Sequence, residues 1–257
     1  MNAILNSVYV LYAVVVFVIP MPFILAFFVL TSWMPDGPRL RLAYRANWYW
    51  IKSWQILVGM TFHVSGHSRI DPNQSYVFVG NHTNMLDVLI AGSNIMHPLK
   101  SLVKKEIVTI PILGQLIQLI SIPVDRSSKE SRQKSLQLMV RNLHDGISIL
   151  VFPEGTRNRT DQVLKRFYPG AFATAIKAQV PIMPFVIYNH RHLQPIDTYR
   201  LYPGEAHLVM LDPIPTEGMT EADIPVLSQR VYQLLEEKLL AWDETLNPLA
   251  REFHARA

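Results

Sequence analysis

Residues 76–87, with the sequence YVFVGNHTNMLD, predict the step from a buried strand to a helix around which the fold is organised. Tyr76–Val79 is typical of a strand, the polar residues after it form a turn, and a helix is expected from about Asn84. On one continuous helix, His82 and Asp87 would point about 140° apart and would not touch. If Asn84 caps a helix that begins after the turn, Asp87 lies in the first helical turn and reaches back to the imidazole.

Contact between His82 and Asp87 has a chemical meaning. A carboxylate bonded to one ring nitrogen fixes the tautomer of the imidazole and leaves the other nitrogen as a general base near neutral pH. Alternatively, Asp87 accepts a hydrogen bond from a free backbone N–H at the helix start, and His82 is a loop histidine. The local sequence leaves both interpretations open.

A second polar turn follows another apolar strand, at residues 149–159, ILVFPEGTRNR. Its proline ends the strand, and Gly155 permits a positive φ or a close backbone approach. Arg157 and Arg159 place two guanidinium groups, which suit phosphate oxygens, at the end of this strand. Glu154 can accept hydrogen bonds from hydroxyl groups. The alternative is an ordinary turn with solvated arginines.

The chain after Gly66 alternates short apolar runs with helical stretches. This alternation is typical of the α/β class and predicts a mainly parallel mixed sheet flanked by helices, with ligands at the carboxyl ends of the strands. We assign residues 61–257 to this one domain. Besides those named above, the predicted strands are Ser101–Val103, Ser121–Val124, Ser148–Phe152, Pro184–Ile187 and His207–Leu211. The further predicted helices are one that ends near Leu119, Lys129–His144, Gly170–Ala178 and Glu221–Trp242.

Residues 1–60 are predicted to form a membrane-anchoring segment. The stretch 8–33 is almost wholly apolar, and as a straight helix it would be about 39 Å long, against a bilayer core of roughly 30 Å. Pro20 and Pro22 favour a kink or a re-entrant hairpin, so a spanning and a half-embedded path both remain open. Arginines follow the stretch, and by the positive-inside rule they place the next domain on the cytoplasmic face.

Residues 39–59 are predicted to form an amphipathic helix. Apolar residues recur at steps of three and four, and basic residues occupy a separate stripe. Because tryptophan and tyrosine flanked by arginines suit the headgroup layer, we expect this helix to lie in the membrane interface. The alternative is a core helix of the globular domain. The apolar stripe consists of Leu40, Tyr44, Trp48, Ile51, Trp54 and Val58.

Composition excludes several classes of protein. The chain has 257 residues, 49% of them hydrophobic, and no cysteine, which excludes disorder, disulfide frameworks, thiolate-bound metals and cysteine nucleophiles. The net charge is +4, and residues 36–60 supply +3 of it through four basic residues against one acid. Because this basic excess is local and follows an apolar stretch, it favours contact with anionic lipid headgroups over nucleic acid.

His190 and His192 share one face of an extended segment, a spacing that metals can use. No nearby carboxylate or third histidine completes a ligand set in the sequence. We therefore interpret them as loop histidines and predict no metal site.

Two motifs in order, Asn81-His82 with Asp87 and then Phe152–Arg157, resemble the glycerolipid acyltransferase family. That family carries an Asn-His-x4-Asp block followed about 70 residues later by Phe-Pro-Glu-Gly-Thr-Arg. Ile122–Arg126 and Val180–Pro184 are similar to two further blocks of the family. The resemblance covers roughly residues 60–190 and implies a fold like that of the glycerol-phosphate acyltransferases.

The resemblance implies transfer of an acyl chain from an acyl thioester to the sn-2 hydroxyl of 1-acyl-sn-glycerol 3-phosphate, which gives phosphatidic acid for phospholipid synthesis. The implied donor is acyl-CoA or acyl-acyl carrier protein as a co-substrate, and no metal or other cofactor is expected. His82 would take the hydroxyl proton directly, without a serine intermediate, and Asp87 would orient it. The implied substrate-binding residues are Glu154, Gly155 and Thr156 at the acceptor or oxyanion region, and Arg157, Arg126, Lys105 and Arg159 around the phosphate.

The same resemblance implies membrane lipids as partners, namely the lysophosphatidic acid acceptor and anionic headgroups. It also implies a membrane location with the catalytic domain on the cytoplasmic face, at the inner membrane in a bacterium. Another acceptor stays open at this point, such as glycerol 3-phosphate, another lysophospholipid or a lyso-amino-lipid. A non-catalytic membrane lipid-binding protein is the remaining alternative.

Overall fold

The computed structural model describes residues 2–245 apart from positions 32, 35, 126, 127 and 197. The described helices are α1 (Ala3–Val18), α2 (Met21–Leu30), α3 (Asp36–Val58), α4 (Leu86–Asn94), α5 (Leu113–Ile120), α6 (Lys129–His144), α7 (Gly170–Ala178), α8 (His190–Leu193) and α9 (Ile224–Thr245). The strands are β1 (Met60–Ser65), β2 (Val77–Gly80), β3 (Leu99–Lys104), β4 (Ser121–Val124), β5 (Ser148–Val151), β6 (Ile182–Tyr188) and β7 (Gly204–Met210).

The strands form one sheet in the order β1-β7-β6-β2-β5-β3-β4. Every neighbouring pair is parallel except β6 and β7, which are antiparallel. This arrangement confirms the predicted α/β class with a mainly parallel mixed sheet flanked by helices. Each strand and helix predicted after Gly66 is present within a few residues, and three of them, β4, α6 and α7, have the predicted bounds.

Helices cover both faces of the sheet, so its central strands are buried on both sides. In β2, the side chain of Phe78 packs on the face that carries α3 and α4, whereas Val77 and Val79 pack on the face that carries α6, α7 and α9. Alternate residues of a strand point to opposite faces, and a strand covered on both faces is apolar throughout. The apolar run before His82 is therefore a consequence of its central position in the sheet.

The edge strand β1 was not predicted from the sequence. Its burial alternates at the start, with Met60 and Phe62 buried and Thr61 exposed, as expected for an edge strand. Gly59, at φ 67°, ends α3 directly before it. Because the apolar pattern of the helix runs into the strand without a polar loop, β1 could not be distinguished from the end of α3 by its sequence.

Helix α3 confirms the predicted amphipathic helix, but its position differs from the expected one. Ile51, Trp54 and Val58 are at most 4% exposed and belong to the same buried cluster as strands β1, β6 and β7. The Trp54 indole N–H also donates a hydrogen bond to the carbonyl of Ala13 on α1, at 2.8 Å. These three residues of the apolar stripe thus face the protein, which corrects the expectation that they lie among lipid headgroups and favours the alternative of a core helix.

The first apolar stretch forms two helices, α1 and α2, which meet at Pro20. Of the residues described, Ala3–Leu30 is the one stretch whose length and apolar character are sufficient to cross a membrane, and only 17% of its apolar window is buried. Tyr9 of α1 donates a hydrogen bond to the carbonyl of Val58, at 2.6 Å. The buried cluster therefore continues across residue 60, and the division into two domains at that position stays a prediction.

Replacing Trp54 by alanine is expected to lower the free energy of unfolding by about 3–5 kcal/mol, because a buried indole and its hydrogen bond are lost. Tyr49→Ala on the same helix removes a side chain that is 65% exposed and should change it by less than about 0.5 kcal/mol. Chemical denaturation of both variants in the same detergent measures the difference. Equal losses would contradict the position assigned to α3.

Candidate active site

The turn between β2 and α4 brings His82 and Asp87 into contact. β2 ends before His82 and α4 begins only at Leu86, so the two residues share no continuous helix. The Nδ1 atom of His82 lies 3.0 Å from Oδ2 of Asp87. The same oxygen accepts hydrogen bonds from the backbone N–H groups of Thr83, at 2.5 Å, and Asn84, at 2.9 Å. The two interpretations of this motif are therefore compatible, because one carboxylate serves both the helix start and the imidazole.

Asp87 stays ionised near neutral pH although it is fully buried. Burial alone would raise the pKa of Asp87, but charge interaction with His190, the bond from His82 and the N–H of Asn84 hold that pKa below the ordinary value of a carboxyl group. An ionised Asp87 favours the tautomer of His82 with its proton on Nδ1. The ring of Phe152, stacked at a centroid distance of 4.4 Å, fixes the plane of that imidazole.

Two residues before His82 fix the turn to the neighbouring strand β6. A Cβ atom on Gly80 would lie 2.2 Å from the ring of Phe185, so only glycine fits at the end of β2. The side-chain amide of Asn81 donates to the carbonyl of Ile187 at 3.0 Å and accepts from its N–H at 2.8 Å. Gly80 and Asn81 belong to the sequence motif around His82, and the structure gives each a positioning role.

Glu154, in the second polar turn, contacts the backbone of the histidine turn. Its side chain is fully buried, and its two oxygens accept hydrogen bonds from the backbone N–H groups of His82, at 2.7 Å, and Lys165, at 3.0 Å. Burial raises the pKa of Glu154. With both oxygens bonded to backbone N–H groups, this carboxylate positions the histidine turn. The predicted contact of Glu154 with a substrate stays a prediction.

The turn that contains Glu154 also binds the backbone carbonyl of His82. The N–H of Asn158 donates to the carbonyl of His82 at 2.6 Å, so residues 154–158 hold both backbone polar groups of the histidine. Gly155 has a φ of 68°, and a Cβ atom there would lie 2.8 Å from the ring of Tyr168. The glycine therefore permits the close approach that the sequence predicted.

The predicted basic residues differ in their surroundings. Arg157 is half-buried and directly precedes the contact with His82, and within the described ranges no carboxylate forms an ion pair with it. Arg159 and Thr156 are exposed. Lys105 is paired with Asp125. Arg126 lies outside the described residues, so its predicted phosphate contact stays a prediction.

Comparison with known proteins identifies the family. The family model described as Acyltransferase matches residues 61–188. The 1-acyl-sn-glycerol-3-phosphate acyltransferase of Haemophilus influenzae is 31% identical over 172 residues, which are 66% of this chain and 70% of that protein. The chain belongs to the acyltransferase family.

Further relatives support the assignment of this acyltransferase. The human 1-acyl-sn-glycerol-3-phosphate acyltransferase alpha is 32% identical over 177 residues, which are 68% of this chain and 62% of that protein, so the chain spans about three fifths of this relative's length. The crystal structure of the 1-acyl-sn-glycerophosphate acyltransferase PlsC from Thermotoga maritima matches with a TM-score of 0.82 and 21% identity, over 96% of this chain and all of that one. This structural likeness shows that the two proteins share a fold.

The acyltransferase site contains a second histidine, His190, which was interpreted from the sequence as a loop histidine. Nε2 of His190, on α8, lies 3.6 Å from Oδ1 of Asp87, on the side away from His82. His190 is 4% exposed, and Asn84 donates to its carbonyl at 3.0 Å. The sequence shows no carboxylate near His190, because the one beside it in the structure, Asp87, belongs to an earlier and separate part of the chain. No local spacing could reveal it.

Asp87→Asn should lower the free energy of unfolding at pH 5 by about 1–3 kcal/mol, because the charged acceptor of two buried N–H groups is lost. The folded-state pKa of Asp87 is depressed, so its contribution is present above the unfolded value of about 3.9 and is lost as pH falls through the folded value. Denaturation at pH 5 and pH 3 should therefore show the gap between wild type and variant shrinking. Exposed Asp161→Asn is the control, and a constant gap would contradict the assignment.

Proposed function

We propose that this acyltransferase transfers an acyl chain from an acyl thioester to the sn-2 hydroxyl of 1-acyl-sn-glycerol 3-phosphate, giving phosphatidic acid. The observation that carries the proposal is the His82–Asp87 bond of 3.0 Å at the same sheet edge as Arg157. The relatives in Haemophilus influenzae and human, named for this reaction, support the choice of acceptor.

In the proposed reaction, Nε2 of His82 takes the proton of the acceptor hydroxyl while the hydroxyl oxygen attacks the carbonyl carbon of the thioester. The new C–O bond replaces the C–S bond, and the departing thiolate takes the proton back from the imidazolium. A thiol with a pKa of about 8.5 leaves without a strong acid. Asp87 stabilises the imidazolium and holds the tautomer of His82 throughout. Because the hydroxyl oxygen attacks the thioester directly, no covalent enzyme intermediate is needed.

The acceptor phosphate is proposed to bind the cations near the second turn. Arg157 is the first candidate because its guanidinium has no ion-pair partner in the part of the chain that the structure describes, and a guanidinium suits phosphate oxygens. Arg159, Lys105 and Arg126 are further candidates. Gly155 and Thr156 are proposed to line the acceptor or oxyanion region.

The donor and the location belong to the same proposal. Acyl-CoA or acyl-acyl carrier protein is the proposed co-substrate, with no other cofactor. The exposed apolar stretch Ala3–Leu30 supports attachment to the membrane in which the acceptor and the product are dissolved. The basic residues that follow it support a cytoplasmic catalytic domain near anionic headgroups, at the inner membrane in a bacterium.

His82→Ala should lower the rate of acyl transfer by about 10²–10⁴-fold, because the general base is removed. The assay uses the full-length protein in membranes, with lysophosphatidic acid, glycerol 3-phosphate and lysophosphatidylcholine as acceptors, and acyl-CoA and acyl-acyl carrier protein as donors. Exposed His144→Ala is the matched control and should keep the wild-type rate. Activity that survives His82→Ala contradicts the base, and faster transfer to another acceptor than to lysophosphatidic acid contradicts the proposed substrate.

Arg157→Lys should raise the KM for lysophosphatidic acid by about tenfold and change the KM for the donor little. The charge remains, but the two-pronged contact with the phosphate is lost, at a cost of about 1.5 kcal/mol. Steady-state kinetics with each substrate varied in turn measures the two constants. Arg141→Lys, whose side chain is 80% exposed on α6, is the control. Equal increases in both KM values would contradict the proposal that Arg157 binds the acceptor phosphate.

A further inference from the structure

Three side chains outside the acyl-transfer site form a cluster with the chemistry of a metal centre. They are His63 on β1 and Glu205 and His207 on β7, and their ligand atoms lie within 4.8 Å of one another. Two imidazoles and one carboxylate are the ligand set of many zinc sites that keep a fourth position for water. The cluster has no part in the mechanism proposed above.

The pairing of β1 with β7 is what brings the three residues together. His63 and His207 are direct partners in the parallel register, so both side chains point to the same face of the sheet. Glu205 precedes His207 by two residues and shares that face. The imidazoles are stacked with centroids 4.8 Å apart, and Nε2 of His63 lies 3.3 Å from Oε2 of Glu205.

The surroundings of the cluster suit a bound ion. Its backbone positions are fixed by two paired strands, while the side chains of His63 and Glu205 are 47% and 62% exposed and can rotate inward. Ligands of a tetrahedral zinc ion lie about 2.0–2.2 Å from the metal, so small rotations close the set. The indole of Trp242, 5.0 Å from the His207 ring, covers one side of the cluster.

We propose that His63, Glu205 and His207 bind one Zn²⁺ ion on the face of the sheet that carries α9. The ion links the edge strand β1 to β7 and leaves one coordination position for water. Because a ligand that binds only the folded state stabilises it by mass action, zinc raises the thermal stability of the protein. No metal site was predicted here from the sequence, because His63 is distant in the chain from Glu205 and His207 and meets them only through the pairing of β1 with β7.

The test uses the full-length chain without an affinity tag, in detergent and stripped of metal by a chelator. Titration with ZnCl₂ against a chromophoric chelator measures stoichiometry and affinity. We expect one zinc ion per chain, and a loss of affinity of at least about tenfold in Glu205→Gln and His207→Asn, since even indirect ligand contacts contribute 10–100-fold. His144→Asn is the matched control and should bind zinc as the wild type does.

Two further measurements distinguish zinc bound at this cluster from zinc bound elsewhere in the protein. Zinc should raise the melting temperature of the wild type and not that of His207→Asn, while the two proteins melt alike without zinc. The zinc X-ray absorption spectrum of the wild type should show two imidazole ligands. The proposal is overturned if the wild type binds no stoichiometric zinc, if affinity is unchanged in His207→Asn or in Glu205→Gln, or if His82→Asn abolishes binding and so places the ion at the acyl-transfer site.

Discussion

The hydrogen bonds accepted by Asp87 are the constraint on which the rest of the site depends. A fully buried carboxylate is costly, on the order of several kcal/mol, unless its neighbours compensate its charge. Here the N–H groups of Thr83 and Asn84 and the imidazoles of His82 and His190 surround it. These partners converge only because the chain turns between β2 and α4. The same contacts therefore start helix α4, compensate the buried charge of Asp87 and orient the ring of His82.

The turn after the neighbouring strand β5 supplies further contacts to His82. β2 and β5 are adjacent and parallel, so the turns that follow them meet at one edge of the sheet. From the second turn, Glu154 binds the N–H of His82 and Asn158 binds its carbonyl. Two motifs separated by 72 residues thus act as one, because the later motif holds the backbone of the histidine while the earlier one orients its ring. Arg157 is placed between these two contacts.

Local patterns predicted the parts of the structure that depend on neighbours in sequence. The alternation of apolar runs with helical stretches predicted β4, α6 and α7 correctly, and the broken helix before Asp87 predicted the contact with His82. Contacts between distant segments were not predictable. The periodicity of α3 shows an apolar stripe but not what covers it, and the position of His190 beside Asp87 depends on how β6 leads into α8. The burial of Glu154 likewise depends on the pairing of β5 with β2.

The tautomer of His82 shows whether Asp87 orients the imidazole. The full-length protein, with ¹⁵N-labelled histidine in micelles, can be compared with its His82→Gln variant by long-range ¹H–¹⁵N NMR to assign the ring. We predict that the neutral imidazole carries its proton on Nδ1, directed at Asp87, and that Nε2 is unprotonated. A proton on Nε2, or a ring that exchanges freely between both forms, would contradict it.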